Sequence, residues 1–195
     1  MMAEHALQTI TKEEISTLPV EEFAGRIIVI QTKAEADKAV EYLMKYNLVG
    51  FDTETRPSFK KGQYYKVSLI QISTDDTCFL FRLNYIGFPE SLKQFVSSPE
   101  VTKIGLSLRD DFGALRKRSS VEPVNFIDLQ SIVGSYGIDA ASLQKIYAIL
   151  FKKKISKGQR LSNWEADVLT EPQKKYAALD AWACLTIYKH LNNHE

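Results

Sequence analysis

The run LVGFDTET, residues 48–55, ends an apolar stretch in two carboxylates one residue apart. Leu48, Val49 and Phe51 read as a strand entering a core, and Asp52 and Glu54 follow directly with only Thr53 between them. Alternate residues of a strand share a face, so both acids crowd one spot at the edge of that core. Like charges held there are unfavourable unless something positive sits beside them. A chain with this run has to build a sheet that tolerates a charged site at a strand end.

The surrounding segments say what kind of sheet. RIIVI (26–30) is a β-branched strand, and KAEADKAVEYLMKYN (33–47) carries Ala36, Val40, Leu43 and Met44 at helical spacing, ending near Asn47. After the loop RPSFKKGQYY, the segments KVSLIQIS (66–73) and TCFLFRLN (77–84) read as a hairpin turning near Thr74, Asp75 and Asp76. PESLKQFVSS (89–98) predicts a helix, TKIGLSL (102–108) a strand, DDFGALRK (110–117) a helix and NFIDL (125–129) a short strand. The remainder is mostly helical: SIVGSYG, SLQKIYAILF and a last helix from about Pro172 to Leu191, with Pro172 suited to a first turn. This order predicts a three-layer α/β fold, a mixed and mostly parallel sheet flanked by helices. Functional groups in such sheets collect where strands end, and Asp52 and Glu54 lie at such an end.

At 195 residues the chain suits one domain with an arm: residues 1–22 as an acidic N-terminal arm and 23–195 as the domain. No apolar run is long enough to cross a bilayer, and the N-terminus lacks the h-region of a secretory signal. Cys78 and Cys184 sit in apolar contexts without metal-ligand spacing, so buried thiols and a reducing cytoplasm are expected. The net charge of +1 points to no partner, but its distribution is uneven. Lys and Arg gather in FKKGQYYK (59–66), RKR (116–118) and KKKISKGQR (152–160), which fits either solvated loops or a footprint for a polyanion.

Two further constellations carry acids. In the last helix Tyr176 and Asp180 are four apart and share a side, next to the apolar positions Ala177, Ala178, Ala181 and Cys184. An Asp in such company is costly to bury unpaired, although it could lie on a solvated stripe. In TKIGLSLRDDFGAL a strand leads into Arg109, Asp110 and Asp111 at a helix start, where acids cap exposed amides. Neighbouring helical positions point about 100° apart, so one of the two can face the same site as Asp52; Asp111, followed by the apolar FGAL, is the expected one.

FDTE, IGLSLRDDFGAL and YAALD together, in this order, resemble the three motifs of the 3′-5′ exonucleases named for Asp-Glu-Asp-Asp, in the subclass with a tyrosine four residues before the last aspartate. The similarity covers about residues 25–192 and is nearest to ribonuclease D and Werner-type exonuclease domains, whose Ser-Asn-Trp segment before the final helix is matched by LSNW at 161–164. The resemblance implies a ribonuclease H-like fold and a catalytic set of Asp52, Glu54, Asp111, Tyr176 and Asp180. It further implies two divalent cations, Mg²⁺ or Mn²⁺: Asp52 bridging both, Glu54 and Asp180 completing one site, Asp111 helping to hold the second, and Tyr176 orienting the attacking water. The implied reaction is hydrolysis of the terminal phosphodiester at a 3′ end, releasing nucleoside 5′-monophosphates. Two carboxylates about 6 Å apart repel by about 3 kcal/mol at an effective dielectric near 20, so four together call for the counter-charge that hard oxygen ligands select.

The expected partner is nucleic acid, DNA or RNA, as a single strand or a 3′ end. Thr53, Lys60, Lys61, Tyr64, Asn163 and Trp164 are the candidate substrate contacts. Phe59, Tyr64 and Tyr65 beside Lys60, Lys61 and Lys66 could stack a base and grip phosphate, or pack on the hairpin. Trp164 favours packing its own loop over stacking a base. The basic loop 152–160 is placed to border the cleft and touch a phosphate backbone. His5, His190 and His194 lie near the ends and are expected on the surface without a part in the chemistry. The other readings are a nucleic-acid-binding module that has lost turnover and a metal-dependent phosphatase acting on small nucleotides.

Overall fold

The computed structural model describes residues 7–193; His5 and His194 lie outside them. The elements in chain order are α1 (Lys12–Thr17), β1 (Arg26–Ile30), α2 (Lys33–Leu43), β2 (Leu48–Thr55), β3 (Val67–Ser73), β4 (Thr77–Arg82), α3 (Leu83–Ile86) and α4 (Glu90–Val96). They continue with β5 (Thr102–Gly105), α5 (Leu108–Arg118), β6 (Phe126–Asp128), two 3₁₀ turns (Leu129–Ser131 and Val133–Tyr136), α6 (Leu143–Phe151) and α7 (Glu171–Asn192).

One six-stranded sheet runs in the order β1-β4-β3-β2-β5-β6. β1 pairs in parallel with β4, β2 with β5 and β5 with β6, while β3 alone runs against both of its neighbours. The hairpin at Thr74–Asp76 is the source of that one reversal, because consecutive strands joined by a tight turn have to be antiparallel. β3 and β4 are buried at every residue, the continuous burial of strands covered on both faces. Alternation sorts their side chains: Leu69, Cys78 and Leu80 join α6 and α7 in one core, while Ile70, Ile72, Phe79 and Phe81 join α2, α4 and α5 in the other. The fold is the expected three-layer, mostly parallel α/β arrangement.

Several boundaries differ from the sequence expectation. α2 starts at a full capping box, Thr32 with Glu35, but stops at Leu43 rather than near Asn47. The amides of Lys45 and Tyr46 turn back onto the carbonyls of Tyr42 and Leu43, and this tightened turn feeds β2 directly. β5 is shorter than expected because Ser107 adopts a left-handed conformation (φ 56°) and launches α5 at Leu108. α7 starts as expected, with a Thr170–Gln173 capping box and Pro172 in its first turn. Cys78 and Cys184 are free and buried. Among the described residues no helix is long and apolar enough to cross a membrane.

The segment before β1 packs on the domain at two places. Gln8 donates to the Gly137 carbonyl and accepts from the Asp139 amide, and residues 19–21 pair with Lys154.

Candidate active site

The site forms where β2 meets α7. Gly50, Asp52 and Glu54 point to the same side of β2, and α7 lies so close there that a Cβ at position 50 would stand 1.9 Å from the Ala181 carbonyl oxygen. Only a residue without a side chain admits that approach. It sets Asp180, the neighbour of Ala181, beside Asp52 and Glu54, and one carboxylate oxygen from each of the three falls within 4.8 Å of the others.

Asp111 arrives from the first turn of α5. Its Oδ1 accepts a short hydrogen bond from the Thr53 hydroxyl, and it lines the same cavity of about 650 Å³ as Asp52, Thr53 and Asp180. Asp110 borders that cavity too, but is exposed and also faces a second groove; Asp111 is the half-buried one of the pair. α5 has no side-chain cap of its own. The end of β6 supplies one instead: Asp128 accepts from the amides of Ser107 (3.0 Å) and Leu108 (2.9 Å), fixing the start of the helix that carries Asp111.

Burial, and after it mutual repulsion, holds these acids towards their neutral forms. The Asp52 carboxyl is driven well above its usual range by burial first, then by Asp180, Glu54 and Asp111. Glu54 is raised to about 9 by burial and the charges of Asp180 and Asp111. Burial lifts Asp180 to about 7 against the opposing Tyr176 hydroxyl, and lifts Asp111 to about 6 against the Thr53 bond. The Oδ1 of Asp180 is buried without a hydrogen-bond partner among the described residues, an acceptor whose desolvation is uncompensated. Converging oxygens, raised carboxyls and an orphaned acceptor have one remedy in common, a bound cation. An all-oxygen donor set suits a hard divalent ion, so these residues fit the metal that the acidic cluster implies.

Tyr176 stands one turn before Asp180, its phenol pushed up by burial, then by Asp180, Glu54 and Asp52, with Arg160 opposing. Its ring packs against Trp164, centroid to centroid 5.9 Å. Trp164 is wholly buried. It therefore has no free face for a base, and its expected substrate contact is corrected to a packing role under Tyr176.

The remaining candidates lie around the rim. Thr53 borders the cavity, yet its hydroxyl is engaged by Asp111. Asn163 is exposed and folds back on its own segment: its Oδ1 accepts from the Glu165 amide and its carbonyl accepts from Gln173 Nε2. Tyr64 is 89% exposed and lines a neighbouring groove with Tyr65, Lys66, Arg109 and Lys117. Lys60 and Lys61 are exposed in a turn closed by the bond from Gln63 N to the Lys60 carbonyl. Within the basic loop, Lys157 and Arg160 line the acidic cavity itself. The sequence does not single out either of them, because three other lysines in the same stretch, Lys152, Lys153 and Lys154, look equivalent.

Comparison with known proteins agrees with this geometry. The 3′-5′ exonuclease family matches residues 27–194. The chain is 31% identical over 186 residues to the mouse bifunctional 3′-5′ exonuclease/ATP-dependent helicase WRN, covering 90% of this chain and 13% of that protein. It is 32% identical over 195 residues to an Arabidopsis thaliana 3′-5′ exonuclease, covering 90% of this chain and 66% of the relative. It thus spans less than two thirds of either. Among solved structures, the EXO domain of Aedes aegypti Nibbler superposes with a TM-score of 0.80 at 21% identity, over 89% of this chain and 92% of that one. Escherichia coli RNase D superposes with a TM-score of 0.76 at 22% identity, over 87% of this chain and 44% of that one. Their shared architecture is the ribonuclease H-like fold.

Proposed function

We propose, from the premise that this chain belongs to the 3′-5′ exonuclease family, that it hydrolyses the 3′-terminal phosphodiester of a nucleic acid strand and releases nucleoside 5′-monophosphates. The observation that carries the proposal is the convergence of Asp52, Glu54 and Asp180, three residues from two elements whose oxygens meet within 4.8 Å. Residues 23–195 form the catalytic unit in this reading and 1–22 an arm. The two buried free thiols support a reducing, cytoplasmic setting.

Asp52, Glu54 and Asp180, with Asp111 across the cavity, are the residues that would hold two divalent cations, Mg²⁺ or Mn²⁺. Such ions supply charge for both the attacking and the leaving oxygen of an in-line displacement. The protein's own groups do the rest. Tyr176, kept protonated by burial and then by its acidic surroundings, orients water as a hydrogen-bonding group rather than as a base. Thr53 fixes the Asp111 carboxylate. Lys157 and Arg160, facing the acids across the cavity, contact the phosphate backbone of the bound strand. Tyr64 and Lys66, in the adjoining groove, offer a stacking face and a cation further along it, with Lys60 and Lys61 beside them in the chain. Thr53 and Asn163 border the terminal nucleotide in this reading.

The test uses single strands, DNA and RNA, labelled at the 3′ end, with either the 3′ or the 5′ end blocked in parallel arms. Loss of label with Mn²⁺, abolished by EDTA and by Asp52→Ala, with 5′-monophosphate products, is expected. Binding without cleavage would make the protein a recognition module, release of inorganic phosphate would make it a phosphatase, and digestion blocked only from the 5′ end would reverse the polarity.

A further inference from the structure

The basic loop that reaches the acidic cavity is anchored in the core at Ile155, and its charged stretch is tied by polar contacts to the segment before β1. It leaves α6 through Lys152, which takes a left-handed conformation (φ 56°), and runs to Arg160 with no strand or helix among the following residues up to its last turn. Its contacts to the segment before β1 are dense and local. Lys154 N donates to the Pro19 carbonyl and the Lys154 carbonyl accepts from Glu21 N, each at 2.9 Å, a single parallel bridge. Lys154 Nζ donates to the Ser16 carbonyl at 2.6 Å, at the end of α1. The Glu21 carboxylate accepts from Lys153 Nζ (3.1 Å) and from the Tyr147 hydroxyl (2.8 Å), tying loop, arm and α6 at one point.

Beyond this point the arm and the loop part. A cavity of about 320 Å³ opens between Val20–Phe23, the loop at Ser156, Gly158 and Gln159, and the first turns of α7 up to Leu179. The polar contacts of Glu21 and Lys154 join the two segments directly, while Phe23 and Ile155 are each buried in the same core. Three residues after Lys154 comes Lys157, and six after it Arg160, both in the acidic cavity.

We infer that residues 16–21 act as a strap on the basic loop, with Glu21 the positioning residue that sets Lys157 and Arg160 against the phosphate backbone of a bound strand. This rests on the reading of the cavity as a nucleic-acid site. The strap spends the charge of Lys153 on Glu21 and leaves Lys157 and Arg160 for the ligand. It lies before residue 27, where the family match begins.

The experiment measures binding of a fluorescein-labelled 12-mer single strand by anisotropy, on an Asp52→Asn background so that no cleavage intervenes. Glu21→Ala is expected to weaken binding several-fold and to flatten the salt dependence. Loss of two single-strand phosphate contacts lowers the slope of log K against log salt by about 1.4, at ~0.7 per contact. Tyr147→Phe, which removes one of the two side-chain anchors, should give a smaller loss in the same direction. Glu21→Ala added to Lys157→Ala/Arg160→Ala should have no further effect, because the cations it positions are gone. A lower melting temperature with unchanged affinity and slope would reduce Glu21 to a structural residue and overturn the inference, as would an undiminished effect in the triple variant. Absence of cleavage by the unmodified protein would defeat the exonuclease assignment and leave this binding measurement intact; absence of binding by the Asp52→Asn protein would overturn the strap together with the nucleic-acid reading.

Discussion

The Thr53 hydroxyl donates to Oδ1 of Asp111, joining a residue between the two acids of β2 to the acid of α5. The bond fixes one carboxylate rotamer and opposes the rise that burial imposes on Asp111, whose carboxyl sits at about 6. Thr53→Val keeps the shape and removes the donor, so Asp111 titrates higher. A carboxylate is lost as pH falls through its pKa, and the acidic limb of the pH–rate profile should move to higher pH. A rise of about one pKa unit, in line with ~1.5 kcal/mol for a hydrogen bond to a charged group, gives an expected loss of about twofold near pH 7 that grows towards tenfold below pH 6 and vanishes by pH 9. Thr53→Ser should restore the wild-type profile. Identical limbs for Val and Thr would show that the bond does not govern Asp111.

Asp128 does for the backbone of α5 what Thr53 does for its side chain. It bonds the amides of Ser107 and Leu108, and Ser107 holds a left-handed conformation next to it. Asp128→Ala should cost about 1–2 kcal/mol as a lost helix cap, read as a lower melting temperature. Activity measured well below that temperature should fall as well, because the turn that presents Asp111 loosens. Asp128→Asn, which keeps one acceptor, should fall between. A stability loss without any loss of activity would separate the cap from the site.

The metal-free protein should lose stability as pH rises. The four acids have folded pKa values above their ordinary range near 4, so between about pH 4 and Glu54's value of about 9 the folded state binds more protons than the unfolded one, and stability falls with pH. Mn²⁺ relieves that repulsion and competes with the same protons. Its increment in melting temperature should be larger at pH 8.5 than at pH 5.5, and Asp180→Asn should reduce it. Equal increments at both values would mean that the cation binds elsewhere.

Much of this arrangement is legible in the chain, for local reasons. The pairing of Asp52 with Glu54 follows from a strand's alternation and that of Tyr176 with Asp180 from a helical turn; both need only short-range geometry. Bringing the pairs together depended on resemblance, because the contact is made by the close approach of α7 to Gly50 and no periodicity announces it. Asp128 read only as the end of a strand, since its partners Ser107 and Leu108 are 21 and 20 residues away in the chain. Trp164 was legible as packing and not as packing under Tyr176, because which ring covers an aromatic in a loop is decided by tertiary contacts. Lys157 and Arg160 look no different from Lys152 or Lys153 until the fold sets the first two in the acidic cavity and Lys153 on Glu21.

Gly50 is where the fold and the site meet most directly. A Cβ there would stand 1.9 Å from the Ala181 oxygen, 2.8 Å from its carbonyl carbon and 3.2 Å from Leu185 Cβ. The obstacle is helix backbone, which cannot swing aside as a side-chain tip does. In Gly50→Ala, α7 has to retreat from β2 and carry Asp180 away from Asp52. Overpacking of this kind costs about 1–3 kcal/mol, yet the effect on the reaction should be larger than on stability: a misplacement of about 1 Å can lower a rate ~100-fold. The substitution should therefore leave a folded protein with native far-ultraviolet circular dichroism, little activity and a diminished Mn²⁺-dependent rise in melting temperature. Gly113→Ala provides the contrast, because a Cβ at that position on α5 meets nothing within 4 Å and Ala in place of Gly within a helix gains about 0.5–1 kcal/mol. Its melting temperature should rise with the Mn²⁺ increment intact. If Gly50→Ala kept both the increment and the activity, the spacing of β2 and α7 would not be what brings these carboxylates together.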